Sequence, residues 1–166
     1  HPAAGWNWLT DYLQIEIDLD AVLASFPNDE PMRAAVAASP GLRLLRQDPW
    51  ECLASFILSS TKQIVQIQQI IKLLSKRFGT SLPVRAGFDP AFSFPSPARM
   101  AGATETELRD CKMGFRAPYL LATARIIAAG QINLDQLKSL TLEQAREQLL
   151  QLPGVGPKIA DCVLLF

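Results

Sequence analysis

Residues 139–166 read SLTLEQAREQLLQLPGVGPKIADCVLLF, and this stretch decides the fold. Thr141, with Gln144 three residues on, is a capping-box start. Leu142, Ala145, Leu149 and Leu152 then recur near helical spacing. Pro153 and Gly154 end that helix, and Gly154 and Gly156 permit a tight turn and a close backbone approach to a ligand. Pro157 suits the first turn of a new helix, where its missing N–H would have no partner anyway. The unit is therefore helix, glycine hairpin, helix. Its turn amides and the start of the second helix form an anion site with little side chain to obstruct a phosphate.

Lys158 and Cys162 stand four residues apart on the second helix and share a face. Two readings fit that spacing. In one, Lys158 is an exposed cation and Cys162 packs the helix. In the other, the positive potential of the helix N-terminus favours the neutral amine of Lys158, a nucleophile able to form a Schiff base with a sugar carbon. A bare GxG turn is weakly diagnostic, whereas LPGVGPKIADC as a unit is much more specific.

The chain has 166 residues, enough for one domain with a sizeable core. Hydrophobic residues at 49% and charged residues at 19% describe a soluble globular protein. No apolar run approaches membrane-spanning length and no signal peptide is visible, so no membrane partner is expected. Cys52, Cys111 and Cys162 are odd in number and far apart, which suits a reducing compartment rather than a disulfide framework. No CxxC or His/Cys cluster supports zinc or an iron–sulfur cluster. A net charge of zero gives no support for nucleic-acid binding, although basic residues gathered on one face would not show in composition. No motif argues for an obligate oligomer, and a monomer is expected.

Leu13, Ile15, Ile17 and Leu19 alternate with Gln14, Glu16 and Asp18, which predicts a half-buried strand. Short helices follow over 21–26 and 31–38. Asp48-Pro49-Trp50-Glu51 is a strong helix start, with a capping aspartate and a first-turn proline, and the helix runs to about Leu58. Ser59-Ser60-Thr61 interrupts it. The next helix has Ile64, Ile67, Ile71 and Leu74 on one face and stops at Gly79. Pro83, Gly87, Pro90 and Pro95 make 80–96 a long loop. Ser96-Pro97 starts a helix to Gly102, Thr104 with Glu107 starts one ending near Gly114, Pro118 to Ala129 forms another, and Asn133 caps one more. The fold class is mainly α: about eight helices plus the leading strand.

Three ordered stretches carry a resemblance. LPGVGPKIADC, LRLLRQDPWECLASFILSS (42–60) and MGFRAPYL (113–120) resemble the helix-hairpin-helix base-excision DNA glycosylases (the HhH-GPD superfamily), and among them the 8-oxoguanine DNA glycosylase/AP lyase family. The similarity runs in order from about Asp11 to Phe166. It implies a helical glycosylase domain over 21–166, ending inside the helix-hairpin-helix at 139–166, and a remnant of an N-terminal sheet domain over 1–20. In the family the strand near 13–19 closes that sheet domain; with most of the sheet missing it would be an unprotected edge.

The resemblance also implies excision of 8-oxoguanine from double-stranded DNA by base flipping. Lys158 matches the lysine that attacks C1′ of the deoxyribose and forms a Schiff base leading to strand cleavage, which implies a lysine pKa lowered by burial and by the helix terminus. Cys162 matches the residue stacked on one face of the flipped base, a role set against plain helix packing. Phe115 and Arg116 match the wedge and an arginine touching the opposite strand, set against a helix-entry turn with a core phenylalanine. Gly154, Gly156 and the amides of Lys158 and Ile159 are the phosphate contacts, and the carbonyls of Leu150, Leu152 and Val155 hold a structural cation in related hairpins. No other cofactor is expected. The protein would be intracellular and with DNA, in nucleoid or nucleus.

The chain departs from the family after the paired serines. Thr61 stands where an asparagine fills the vacated space, and Gln66 replaces an arginine that reads the orphaned cytosine. Relaxed opposite-base selectivity is expected. The family's aspartate downstream of the lysine, and the aromatic covering the second face of the base, fall past Phe166. Asp161 points to another helix face and is not a substitute. His1 is not a start methionine and IADCVLLF ends in mid-helix, so the chain is expected to be part of a longer protein. Two other readings stay open: a related glycosylase for another damaged base, and a helix-hairpin-helix DNA-binding module without catalysis.

Overall fold

The structure is a computed structural model that describes residues 5–60 and 62–166. Its described residues form ten α-helices, two short 3-10 helices and one two-stranded ribbon. They group into two compact units, residues 5–47 with Phe166, and Asp48–Leu165.

In the first unit α1 spans Asn7–Tyr12, α2 Leu19–Ala24 and α3 Glu30–Ala38. The strand expected over 13–19 is not formed. Gln14 takes a positive φ of 52°, and the chain turns through residues 13–17 into α2. The turn is held by polar contacts made far along the sequence. Arg43 Nη1 donates to the carbonyls of Gln14 and Ile17, both at 2.7 Å, and Gln14 Nε2 donates to the Leu44 carbonyl at 2.8 Å. Asp18 then caps α2 by accepting from the amides of Asp20 and Ala21. Ile15 and Ile17 are exposed, so their alternation does not mark a buried face.

The second unit holds the core. Asp48 caps α4 (Pro49–Ser59) by accepting from the Glu51 amide at 2.8 Å, and Pro49 takes the first turn as expected. Leu53, Ala54, Ile57 and Leu58 bury one side of that helix, and Trp50 Nε1 donates to the Pro95 carbonyl at 2.9 Å. In α5 (Ile64–Phe78) the buried face centres on Ile70, Leu74 and Phe78 rather than on Ile64, which is exposed. The helix ends at Gly79. A Cβ there would strike the Ser93 and Ser75 carbonyl oxygens, so only glycine fits. The stretch expected to be loop contains β1 (Ser81–Leu82) paired antiparallel with β2 (Ala91–Phe92), Ser81 opposite Phe92.

Helices α6 (Pro97–Ala101) and α7 (Glu105–Asp110) follow, the latter with the expected Thr104–Glu107 capping box. Helix α7 stops short of the expected end near Gly114, because Lys112 and Gly114 both adopt positive φ. A 3-10 helix at Gly114–Arg116 leads into α8 (Ala117–Ala128), which packs along α6. Asn133 caps a 3-10 helix at Leu134–Ser139 instead of an α-helix. Then come α9 (Leu142–Leu150) and α10 (Pro157–Leu165). Among the described residues no helix is long and apolar enough to cross a membrane.

Candidate nucleic-acid interface

The hairpin forms as its residues dictate. Thr141 Oγ1 accepts from the Gln144 amide while Gln144 Oε1 accepts from the Thr141 amide, closing the capping box of α9. After Leu150 the chain tightens, with Leu152 N–H donating to Leu149 and Val155 N–H donating to Leu152. Gly154 supplies a left-handed φ of 81°, and Pro157 opens α10. Two side-chain ties hold the turn. Thr123, buried in α8, donates its hydroxyl to the Pro153 carbonyl at 2.9 Å. Arg146 and Asp161 pair across the two helices at 2.9 Å, an exposed ion pair of about 0–1 kcal/mol. That pairing gives Asp161 a bracing partner.

The two glycines do different work. A Cβ on Gly154 would lie 2.9 Å from Tyr119 Cβ and 3.3 Å from its Cγ, so the close approach is to α8. A Cβ on Gly156 meets nothing within 4 Å, so that side of the turn is open. Among the described residues the amides of Gly154, Gly156, Lys158 and Ile159 donate to no acceptor. Four unengaged donors at the start of a nine-residue helix make an electropositive backbone cradle suited to a phosphate.

Lys158 stands exposed in the first turn of α10, next to that cradle. The burial expected around its amine is therefore missing. Cys162, one turn on, is half-buried. On the facing helix α4 lies Cys52, whose thiol burial pushes up to about 11, with Cys162 and then Asp48 adding to the effect. The thiolate is the reactive species, so at pH 8 a thiol titrating near 11 is only about 0.1% ionised. Iodoacetamide at pH 8 should label Cys162 well before Cys52, mapped by peptide mass spectrometry. Equal labelling would contradict the packing of α4 on α10.

The expected wedge sits on the 3-10 helix before α8. Phe115 is 60% exposed, as a wedge requires and a core phenylalanine does not. Arg116 differs from expectation in its burial: it is 2% exposed, where a side chain touching an opposite strand is expected at the surface. Burial also lowers its pKa from the ordinary arginine value. Its Nε donates to Ser60 Oγ at 3.3 Å, and its Cζ lies 4.4 Å from the centroid of the Phe115 ring. Thr61 lies outside the described residues. Gln66 is exposed in the first turn of α5, where its Oε1 accepts from the Gln63 amide at 3.1 Å.

Sequence reading missed Tyr119 and Thr123. Tyr119 is exposed one turn after Phe115 and abuts Gly154, a contact that no local spacing signals. Thr123 had a signal, a lone hydroxyl inside the apolar run of α8, which a buried helix must satisfy somewhere. Of the three carbonyls considered for a cation, Leu152 accepts from Val155 N–H, and those of Leu150 and Val155 accept no hydrogen bond among the described residues. An all-carbonyl oxygen set of this kind suits a hard cation.

Comparison with known proteins follows the same geometry. The family model described as 8-oxoguanine DNA glycosylase, N-terminal domain, matches residues 4–53. That of the HhH-GPD superfamily base excision DNA repair protein matches residues 54–160. An N-glycosylase/DNA lyase of Arabidopsis thaliana is 36% identical over 163 residues, covering 95% of this chain and 44% of its own length. That of Saccharomyces cerevisiae is 35% identical over 172 residues, covering 95% of this chain and 45% of its own length. The chain thus spans about half the length of the curated relatives it matches. Apo Clostridium acetobutylicum 8-oxoguanine glycosylase/lyase superposes with a TM-score of 0.89 at 34% identity, over 96% of this chain and 55% of that one. The same enzyme bound to double-stranded DNA with cytosine opposite 8-oxoG gives 0.86, over 95% of this chain and 54% of that one. With its hairpin, capped helices and core accounted for by its own residues, and with family matches over residues 4–160, the chain belongs to the HhH-GPD superfamily of base excision DNA repair proteins.

Proposed function

We propose that this chain is the greater part of the catalytic region of a DNA glycosylase/AP lyase that removes 8-oxoguanine from duplex DNA. The observation that carries the reading is the place of Lys158 in the first turn of α10, among four backbone amides with no acceptor among the described residues. The amides hold a phosphate of the damaged strand, which brings C1′ of the extruded nucleotide toward Lys158 Nζ. The amine lone pair forms the N–C1′ bond and the glycosidic bond breaks, its electron pair leaving with the base. Loss of the amine proton and ring opening give the Schiff base, from which strand cleavage proceeds. Cys162 lies against one face of the base, Phe115 enters the gap, and the free hairpin carbonyls, with that of Leu152, take a structural cation.

One observation favours a second reading. Lys158 is exposed, whereas a Schiff-base lysine gains from desolvation, and a DNA-binding module without catalysis would carry such a residue as a phosphate contact. Borohydride trapping on a duplex with a single 8-oxoguanine separates the two. A covalent adduct on the lesion duplex and none on undamaged duplex supports the enzyme. Salt-dependent binding with no adduct supports the module.

Opposite-base selectivity should be relaxed. Gln66 is occupied in capping α5, and threonine at 61 lacks the amide for a paired contact with cytosine. Cleavage of 8-oxoguanine opposite adenine or guanine should fall within about tenfold, ~1.4 kcal/mol, of that opposite cytosine in single-turnover assays. A larger preference for cytosine would show that other residues read that base.

A further inference from the structure

Phe115, Tyr119 and Thr123 stand four residues apart and form one stripe along the start of α8. Two of the three meet the hairpin. Thr123 donates to the Pro153 carbonyl at 2.9 Å, and Tyr119 Cβ lies 2.9 Å from where a side chain on Gly154 would begin. One residue further along the hairpin, the contact has moved one turn back along α8. The hairpin therefore crosses the helix in the direction of Phe115, and Tyr119 stands in the stripe between Phe115 and the residue that grips Pro153.

The two ends of Tyr119 have different surroundings. Its Cβ and Cγ rest against Gly154, while the side chain is 46% exposed and its hydroxyl makes no hydrogen bond to a described residue. Packing on Gly154 uses only Cβ and the ring, which phenylalanine would supply equally. The hydroxyl adds a donor that nothing in the described fold receives. Tyrosine suits a site with one apolar and one wet end. Beside it lie the open face at Gly156 and the four amides without an acceptor.

We infer that Tyr119 extends the phosphate site of the hairpin: its ring stays on Gly154 and its phenol donates to the phosphate adjoining the one held by the amides. The inference rests on reading those amides as a phosphate site. Two neighbouring phosphates are then held by two different kinds of donor, backbone N–H and phenol O–H, and together they fix the direction of the strand as well as its position. The phenol is neutral, so its contact adds affinity without displacing a counterion.

The test measures binding of the whole chain to 8-oxoguanine·cytosine duplexes, each with a single uncharged methylphosphonate at a successive position of the damaged strand. The variants are Tyr119→Phe and Gly156→Ala. Wild type should lose affinity at two adjacent positions. Tyr119→Phe should bind the unmodified duplex about fivefold more weakly, with the salt slope and melting temperature of wild type. It should lose nothing further at one of the two positions, whereas Gly156→Ala should keep the full loss there. Tyr119→Phe binding like wild type, or keeping the full loss at both positions, would overturn the inference. So would a lowered melting temperature in Tyr119→Phe, which would make the hydroxyl a structural group. A wild-type chain that does not bind, or that loses affinity at no position, removes the phosphate reading of the hairpin and the inference with it.

Discussion

Replacing Lys158 with glutamine should abolish borohydride-trapped adduct on 8-oxoguanine duplex, a fall of at least about a thousandfold, as for loss of any covalent nucleophile. Glutamine is one atom shorter than lysine but keeps its helix propensity, and the side chain is exposed, so folding should be unaffected. Duplex binding should weaken only modestly, because the amides of the hairpin and of the first turn of α10 are untouched. Gel separation of the adduct and fluorescence anisotropy for binding check the two halves. Full adduct in the glutamine variant would move the nucleophile elsewhere in the chain. Loss of adduct and binding together would show Lys158 to be mainly a phosphate contact.

Gly154→Ala should be the most destabilising single-methyl change in the hairpin. A φ of 81° costs a non-glycine residue about 1–2 kcal/mol. The added methyl would also meet Tyr119 Cβ at 2.9 Å, an atom fixed to the backbone of α8 that no rotamer change can move. Overpacking adds about 1–3 kcal/mol, so the sum is about 2–5 kcal/mol and the melting temperature should drop by roughly 5–15 °C. Gly156→Ala is the contrasting variant. Its methyl enters open space and its φ is not positive, so thermal stability should hold while binding to duplex weakens, because the methyl projects near the amide cradle. Calorimetry on both variants checks the division. Equal stability in the two would mean that α8 does not press on the turn.

Much of this was legible from local chemistry. The capping boxes at Thr141 and Thr104 and the Asp48-Pro49 start are decided within four residues, and the structure forms each as expected. The hairpin is equally local, because Pro153, Gly154 and Pro157 permit few other paths. Failures came where distant residues decide. The alternation from Leu13 to Leu19 has strand period, yet Arg43 binds two of its carbonyls and holds a turn. The face of α5 shifts from Ile64 toward Ile70 and Phe78 because the core lies beside the later turns. In the site, sequence could nominate Lys158, Cys162, Phe115 and Arg116, but not whether each faces solvent. Arg116 is the sharpest case, since a cation beside an exposed aromatic suggests a surface pair, and only three-dimensional packing puts it beneath the ring.

The Thr123–Pro153 hydrogen bond makes α8 a spacer of set length. Phe115 sits just before the helix and Thr123 seven residues into it, a separation of roughly 12 Å along the axis at 1.5 Å per residue. On a DNA strand that spans about three to four nucleotides at 3.4 Å per step. If Phe115 and the hairpin amides act as proposed, the reach between them is metered by residue count, and a bound strand would conform to it. Inserting one residue between 115 and 123 would rotate the threonine about 100° away from Pro153 and lengthen the spacer together. Substitutions along the outer face of α8 should therefore be absorbed, while insertions and deletions within it should uncouple the two ends of the interface.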